Sequence, residues 1–74
     1  MRRRPPRPSV LTPRERQVAR LIAEGNTAPE IGAELGIAET TVRGYIQQIA
    51  RVVTGRGPPM RRIAMWYREE SREL

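Results

Sequence analysis

The sequence predicts an all-α fold, a bundle of three to four short helices behind a disordered basic N-terminal arm. Three observations predict it. TPRE at 12–15 and TAPE at 27–30 both have the Thr-x-x-Glu spacing of a capping box, which opens a helix. Between the breaks, apolar residues recur three and four positions apart, the period of one helix face. The breaks themselves are Gly25, Gly36 and the run TGRGPP at 54–59, where glycine and proline favour turns.

The elements follow in order. Residues 1–9, MRRRPPRPS, hold four Arg and three Pro. Such a stretch cannot form a helix and has nothing to bury, so it reads as an arm preceding a domain at 10–74. Thr12 then caps the first helix, Pro13 suits its first position and Glu15 completes the box. Val18, Leu21 and Ile22 form its apolar stripe, and Gly25 is placed to take the left-handed cap. Thr27 caps the second helix, with Glu30 reaching back. Ile31 and Leu35 are its apolar face, and Gly36 stops it. The third helix is expected to begin near Ala38 or Glu39. Its apolar positions are Val42, Tyr45, Ile46, Ile49 and Val53; its other side carries Arg43, Gly44, Gln47, Gln48 and Arg51. A fourth helix is expected from Met60 to about Arg72, with Ile63, Ala64 and Tyr67 inward. Glu69 and Glu70 lie late in it, at the end where negative charge is unfavourable, so its last turn is expected to fray.

Composition restricts the function. Seventy-four residues make one small domain. A chain this short buries only about 60% of its unfolded surface. Cys, His and Asp are absent. That excludes disulfides, the usual zinc ligands and every triad of the Ser-His-Asp type. Only Glu and Tyr remain for acid–base work, and the Glu residues are scattered at helical surface spacing. Neither enzyme activity nor a cofactor is expected. Fourteen Arg, with no Lys, stand against eight Glu and leave a net charge of +6. A GC-rich genome also produces an all-Arg bias, but the positive field still favours a polyanionic partner. A membrane surface is one polyanion, yet no apolar run approaches the ~20 residues of a membrane-spanning helix. The N terminus also lacks the apolar stretch of a secretory signal. Nucleic acid in the cytoplasm, on the nucleoid, is the expected setting.

The second and third helices are separated by only a few residues. Two short helices that cross steeply must approach closely, and Gly32 is the small residue that allows it. The turn between them needs positive φ, and Gly36 allows that. Ile31, Leu35, Ile37, Val42 and Tyr45 then lock the pair. This is a helix-turn-helix unit over about 27–51, so the fold class becomes a small helix-turn-helix bundle of three to four helices. Residues 39–51 form a positive rod of the diameter that a major groove admits.

Residues 11–51, LTPRERQVARLIAEGNTAPEIGAELGIAETTVRGYIQQIAR, resemble the LuxR/NarL (GerE-type) helix-turn-helix of bacterial response regulators and quorum-sensing activators. The matching pieces are LTPRERQVARLIAEG, EIGAELGI and TTVRGYIQQI, in the family's order and spacing. Region 4 of sigma factors shares much of this pattern. The chain departs from the family at Ala38, where serine usually caps the recognition helix. It departs again at Tyr45, where the family has histidine, and at TGRGPPMRR, which replaces a short turn before the fourth helix. The resemblance implies double-stranded DNA binding in transcriptional regulation. It also implies a homodimer through residues 60–72. The receiver or ligand-sensing domain of the family has no counterpart in these 74 residues, so signal sensing is not expected from them.

Site residues can then be assigned. Arg43 and Gln47 lie one turn apart on the polar side of the third helix. Arg pairs bidentately with guanine and Gln with adenine, so base contacts are expected from both. Gly44 between them either lets the backbone come close to DNA, as a base-contact position, or is simply a poorly optimised helix residue. Arg51, one turn further on, is expected at a phosphate. Thr27 and Thr41 match family positions that hydrogen-bond the DNA backbone. Arg2, Arg3, Arg4 and Arg7 of the arm lie along phosphates or enter a minor groove, unless the arm is only a solubility tail. Arg61 and Arg62 add phosphate contacts or offset Glu69 and Glu70. Trp66 and Tyr67 are packing or interface residues. A function of another class competes: a protein-interaction module that binds RNA polymerase or another regulator through the fourth helix, with weak DNA affinity.

Overall fold

Thr12 opens the first helix through a reciprocal pair of bonds. In this computed structural model, which describes residues 11–53 and 55–72, the Glu15 amide donates to Thr12 Oγ1 at 3.2 Å. The Thr12 amide donates to Glu15 Oε1 at 3.0 Å. Helix α1 runs Pro13–Ala23. Gly25, with φ +96°, ends it. The Gly25 and Asn26 amides donate to the Ile22 and Leu21 carbonyls at 2.9 and 3.0 Å, the two bonds of a Schellman motif. Helix α2 spans Ala28–Leu35 and repeats the box with Thr27 and Glu30. Helix α3 spans Glu39–Val52 and α4 spans Pro59–Arg72. The arm expected at residues 1–9 lies outside the described residues.

All four helices contribute to one core. Val18 of α1, Ile31 of α2, Val42 and Ile49 of α3 and Ile63 of α4 are fully buried. Each such side chain contributes about 1.5–3 kcal/mol over an exposed position. The expected stripes of α1 and α3 are buried, with one change: Tyr45 is half-buried at the core's edge, as are Leu35, Ile37, Ala64 and Tyr67. Leu11, Ala19 and Ala28 are buried as well. A lone methyl is too small to stand out in a hydropathy pattern, so Ala19 and Ala28 had no signal of their own.

Helix α4 starts at Pro59, one residue earlier than expected, and ends at Arg72, as expected. Interactions with α1 hold its later turns. Arg68 Nη2 donates to the Ala23 carbonyl at 3.3 Å, at the C-terminal end of α1. The Arg16 guanidinium lies over the rings of Trp66 and Tyr67, 5.8 and 5.9 Å from their centroids. Trp66 and Tyr67 are thus packing residues, as expected.

Arg62 corrects a second expectation. Helix α3 ends without a left-handed residue: Val53 is extended, φ −91° and ψ 141°. The last carbonyls of a helix lack partners within it, and a basic side chain can serve them. Arg62 does so, donating from Nη2 to the Ala50 carbonyl at 2.9 Å and from Nη1 to the Gly57 carbonyl at 3.1 Å. It holds the α3–α4 connection together, rather than offsetting Glu69 and Glu70.

The α2–α3 turn positions the outer face of α3. Gly36 has φ +71°, and its amide donates to the Gly32 carbonyl. The Ile37 amide donates to that same carbonyl at 3.0 Å. The turn therefore folds directly over Gly32, where a Cβ would stand 2.8 Å from the Ile37 carbonyl oxygen. No other residue fits there without moving backbone.

Candidate nucleic-acid interface

Helix α3 divides by its side chains, apart from the exposed Val52 at its end. Val42, Ile46 and Ile49 face the core, while Glu39, Thr40, Thr41, Arg43, Gly44, Gln47, Gln48 and Arg51 are exposed. The proposed base-contacting residues, Arg43, Gly44 and Gln47, therefore share one accessible surface. Gly44 has nothing within 4 Å of where its Cβ would be, so neither packing nor positive φ explains the glycine. The Gln47 side chain makes no hydrogen bond to another described residue and is free to accept and donate.

The proposed backbone-contacting residues are spread more widely. Thr41 lies in the first turn of α3 and Arg51 in the last. Thr27 is exposed at the start of α2, but its hydroxyl is already engaged by the Glu30 amide at 3.4 Å. Arg2, Arg3, Arg4 and Arg7 lie outside the described residues. Ala38 occupies the N-cap of α3 with φ −69° and ψ 150°, and no side-chain bond caps the helix there. The departure from serine noted in the sequence thus leaves the cap unfilled.

One participant was missed. Glu39 Oε2 accepts from both Nε and Nη2 of Arg43, the former at 3.0 Å. The spacing of four, with Glu before Arg, is the favourable order for a helical ion pair and was readable in the sequence. This pair also qualifies the picture of a positive rod. Residues 27–51 carry two Arg against three Glu, a net −1, and residues 39–51 alone carry +1. Most of the chain's excess charge lies elsewhere.

A separate groove of about 360 Å³ is lined by Gly55, Arg56, Arg62, Met65, Trp66 and Glu69. It shares no residue with the exposed face of α3. Among the described residues, no group of three or more His, Cys, Asp or Glu side chains is arranged to hold a metal. No helix among them is long and apolar enough to cross a membrane.

Two helices joined over a glycine, the second turning a polar face outward from an apolar core, define a helix-turn-helix domain of the DNA-binding class. The family profile described as bacterial regulatory proteins, luxR family, matches residues 9–52, more than half of the chain. The chain belongs to this family of DNA-binding domains of transcription regulation. Among curated proteins, it is similar to the two-component response regulator PprB of Pseudomonas aeruginosa, 46% identical over 43 residues. That match covers 58% of this chain and 16% of PprB, so the matched segment spans less than a fifth of that relative's length. No solved structure matches it.

Proposed function

We propose that the chain binds double-stranded DNA sequence-specifically, with residues 39–51 in the major groove, as part of a transcription regulator. The observation that carries this reading is the single exposed surface formed by Arg43, Gly44 and Gln47 on a helix held outward over Gly32. Arg43 and Gln47 read base edges, and Gly44 lets the backbone approach them. Thr27, Thr41 and Arg51 engage the DNA backbone, joined by Arg2, Arg3, Arg4 and Arg7 from an arm at residues 1–9 that precedes the domain at 10–74. The likeness to a two-component response regulator supports a role in regulated transcription, and the site of action is the cytoplasmic nucleoid. Selection of bound sequences from a random duplex pool, followed by gel shifts on selected and random DNA across salt, tests this reading. A selected consensus with tighter binding supports it; equal affinity for every duplex refutes it.

One observation favours a second reading. Met65 is 54% exposed on α4 and lines the groove together with Arg56 and Trp66. A large exposed apolar side chain next to a concave surface suits a protein contact. In that reading, α4 joins a second copy through residues 60–72, or docks RNA polymerase or another regulator, and DNA affinity is weak. Sedimentation of the free chain tests the homodimer. In the same gel shifts, weak binding without selection would favour the docking reading.

A further inference from the structure

An acidic side chain on a surface proposed to meet a polyanion requires a reason. Glu39 is exposed there, one turn before Arg43. Part of the reason is local. Ala38 provides no cap, and a carboxylate in the first turn favours the positive pole of the helix. That would be satisfied by a carboxylate pointing anywhere near the helix end. Instead Glu39 engages Arg43 through one oxygen and two donors, Nε and Nη2. A guanidinium has two forks of parallel N–H groups. The side fork is Nε with Nη2, and Glu39 occupies it. The end fork, Nη1 with the second hydrogen of Nη2, remains open. Its two N–H groups match the O6 and N7 acceptors of guanine.

The charge around the pair points the same way. Residues 27–51 carry two Arg and three Glu. An unpaired Arg43 would settle readily on any phosphate. Paired with Glu39, it has little net charge to offer a phosphate but keeps a directional fork for a base. We infer that Glu39 is a positioning residue: it holds the Arg43 guanidinium with its end fork outward, so that Arg43 selects guanine instead of strengthening binding to all DNA. This rests on the reading of Arg43 as a base contact.

The test uses the full chain, with Glu39→Gln and Glu39→Ala made alone and in combination with Arg43→Ala. Binding to a selected duplex and to a random duplex of equal length is measured across salt, and melting temperature verifies folding. Glu39→Gln should tighten random binding and steepen its salt slope by up to about 0.9, one added phosphate contact. The ratio of selected to random affinity should fall about two- to fivefold, the range of an exposed ion pair. Glu39→Ala should lower it at least as far. In the Arg43→Ala background, Glu39→Gln should leave the ratio unchanged. An unchanged ratio in the single variant overturns the inference, because Glu39 then only repels DNA. An equal fall in the Arg43→Ala background also overturns it, because Glu39 then acts through the helix end. If the wild-type chain selects no sequence, the base-contact reading fails and this inference falls with it. If it selects a site that the Glu39 variants bind with unaltered selectivity, only the inference fails.

Discussion

At Ala38, the N-cap of α3, and at Gly44 within it, the chain gives up helix stability. Ala38 has the extended backbone of an N-cap but no oxygen to accept a hydrogen bond. Ala38→Ser should therefore raise stability by about 0.5–2 kcal/mol in urea unfolding, since the geometry is already in place. Gly44 is exposed in the helix interior with open space above it. Gly44→Ala should stabilise the fold by about 0.5–1 kcal/mol. If the backbone approaches DNA there, the added methyl should weaken specific binding while the melting temperature rises. Unimpaired binding would remove Gly44 from the interface. Arg43→Ala should cost about 1–3 kcal/mol on a selected site and relax selection at one base pair. Equal losses on selected and random duplexes would instead make Arg43 a phosphate contact.

Among the helices, the α2–α3 crossing depends on one missing side chain. A Cβ at residue 32 would meet the Ile37 carbonyl at 2.8 Å, and that atom is backbone, which cannot swing aside. Gly32→Ala should destabilise the domain by about 1–3 kcal/mol, and Gly32→Leu by more. Against a total of about 5–15 kcal/mol, this is a large fraction. Circular dichroism melts would measure it; an unchanged melting temperature would contradict the close crossing. The crossing was legible because Gly32 and Gly36 together match a close approach followed by a tight turn. The end of α3 was not legible. Arg62 lies twelve residues from Ala50, and nothing in local spacing joins a guanidinium to that carbonyl.

Across the molecule, the excess positive charge lies outside the helix-turn-helix unit. The unit at 27–51 carries −1, whereas residues 1–9 contribute four of the fourteen Arg and no Glu. These nine residues are thus the densest run of positive charge in the sequence. Deleting residues 2–8 should leave the fold intact, because the described core begins at Leu11. Binding should weaken on every duplex. The slope of log affinity against log salt should become shallower by roughly 2 to 3.5, about 0.9 for each phosphate no longer neutralised. Unchanged affinity and slope would make the arm a solubility tail. Loss of folding would move the domain boundary before residue 9.

Local sequence was enough to set the four helices, the starts and stops of α1 and α2, and the glycine turn that aims α3 outward. These depend on interactions within a few residues: hydroxyl to amide in the caps, positive φ at Gly25 and Gly36, and apolar side chains at helical spacing. Even the Glu39–Arg43 pair falls in this group, although only the structure shows which fork of the guanidinium it uses. The interactions between helices were decided by tertiary packing. Arg16 lies over Trp66 and Tyr67, Arg68 reaches the end of α1, Arg62 serves carbonyls of α3 and the following loop, and Ala28 is buried while Tyr45 is only half-buried. Each depends on how far apart the helix axes come to rest. Packing of the shared core sets that distance, and no local pattern of residues carries it.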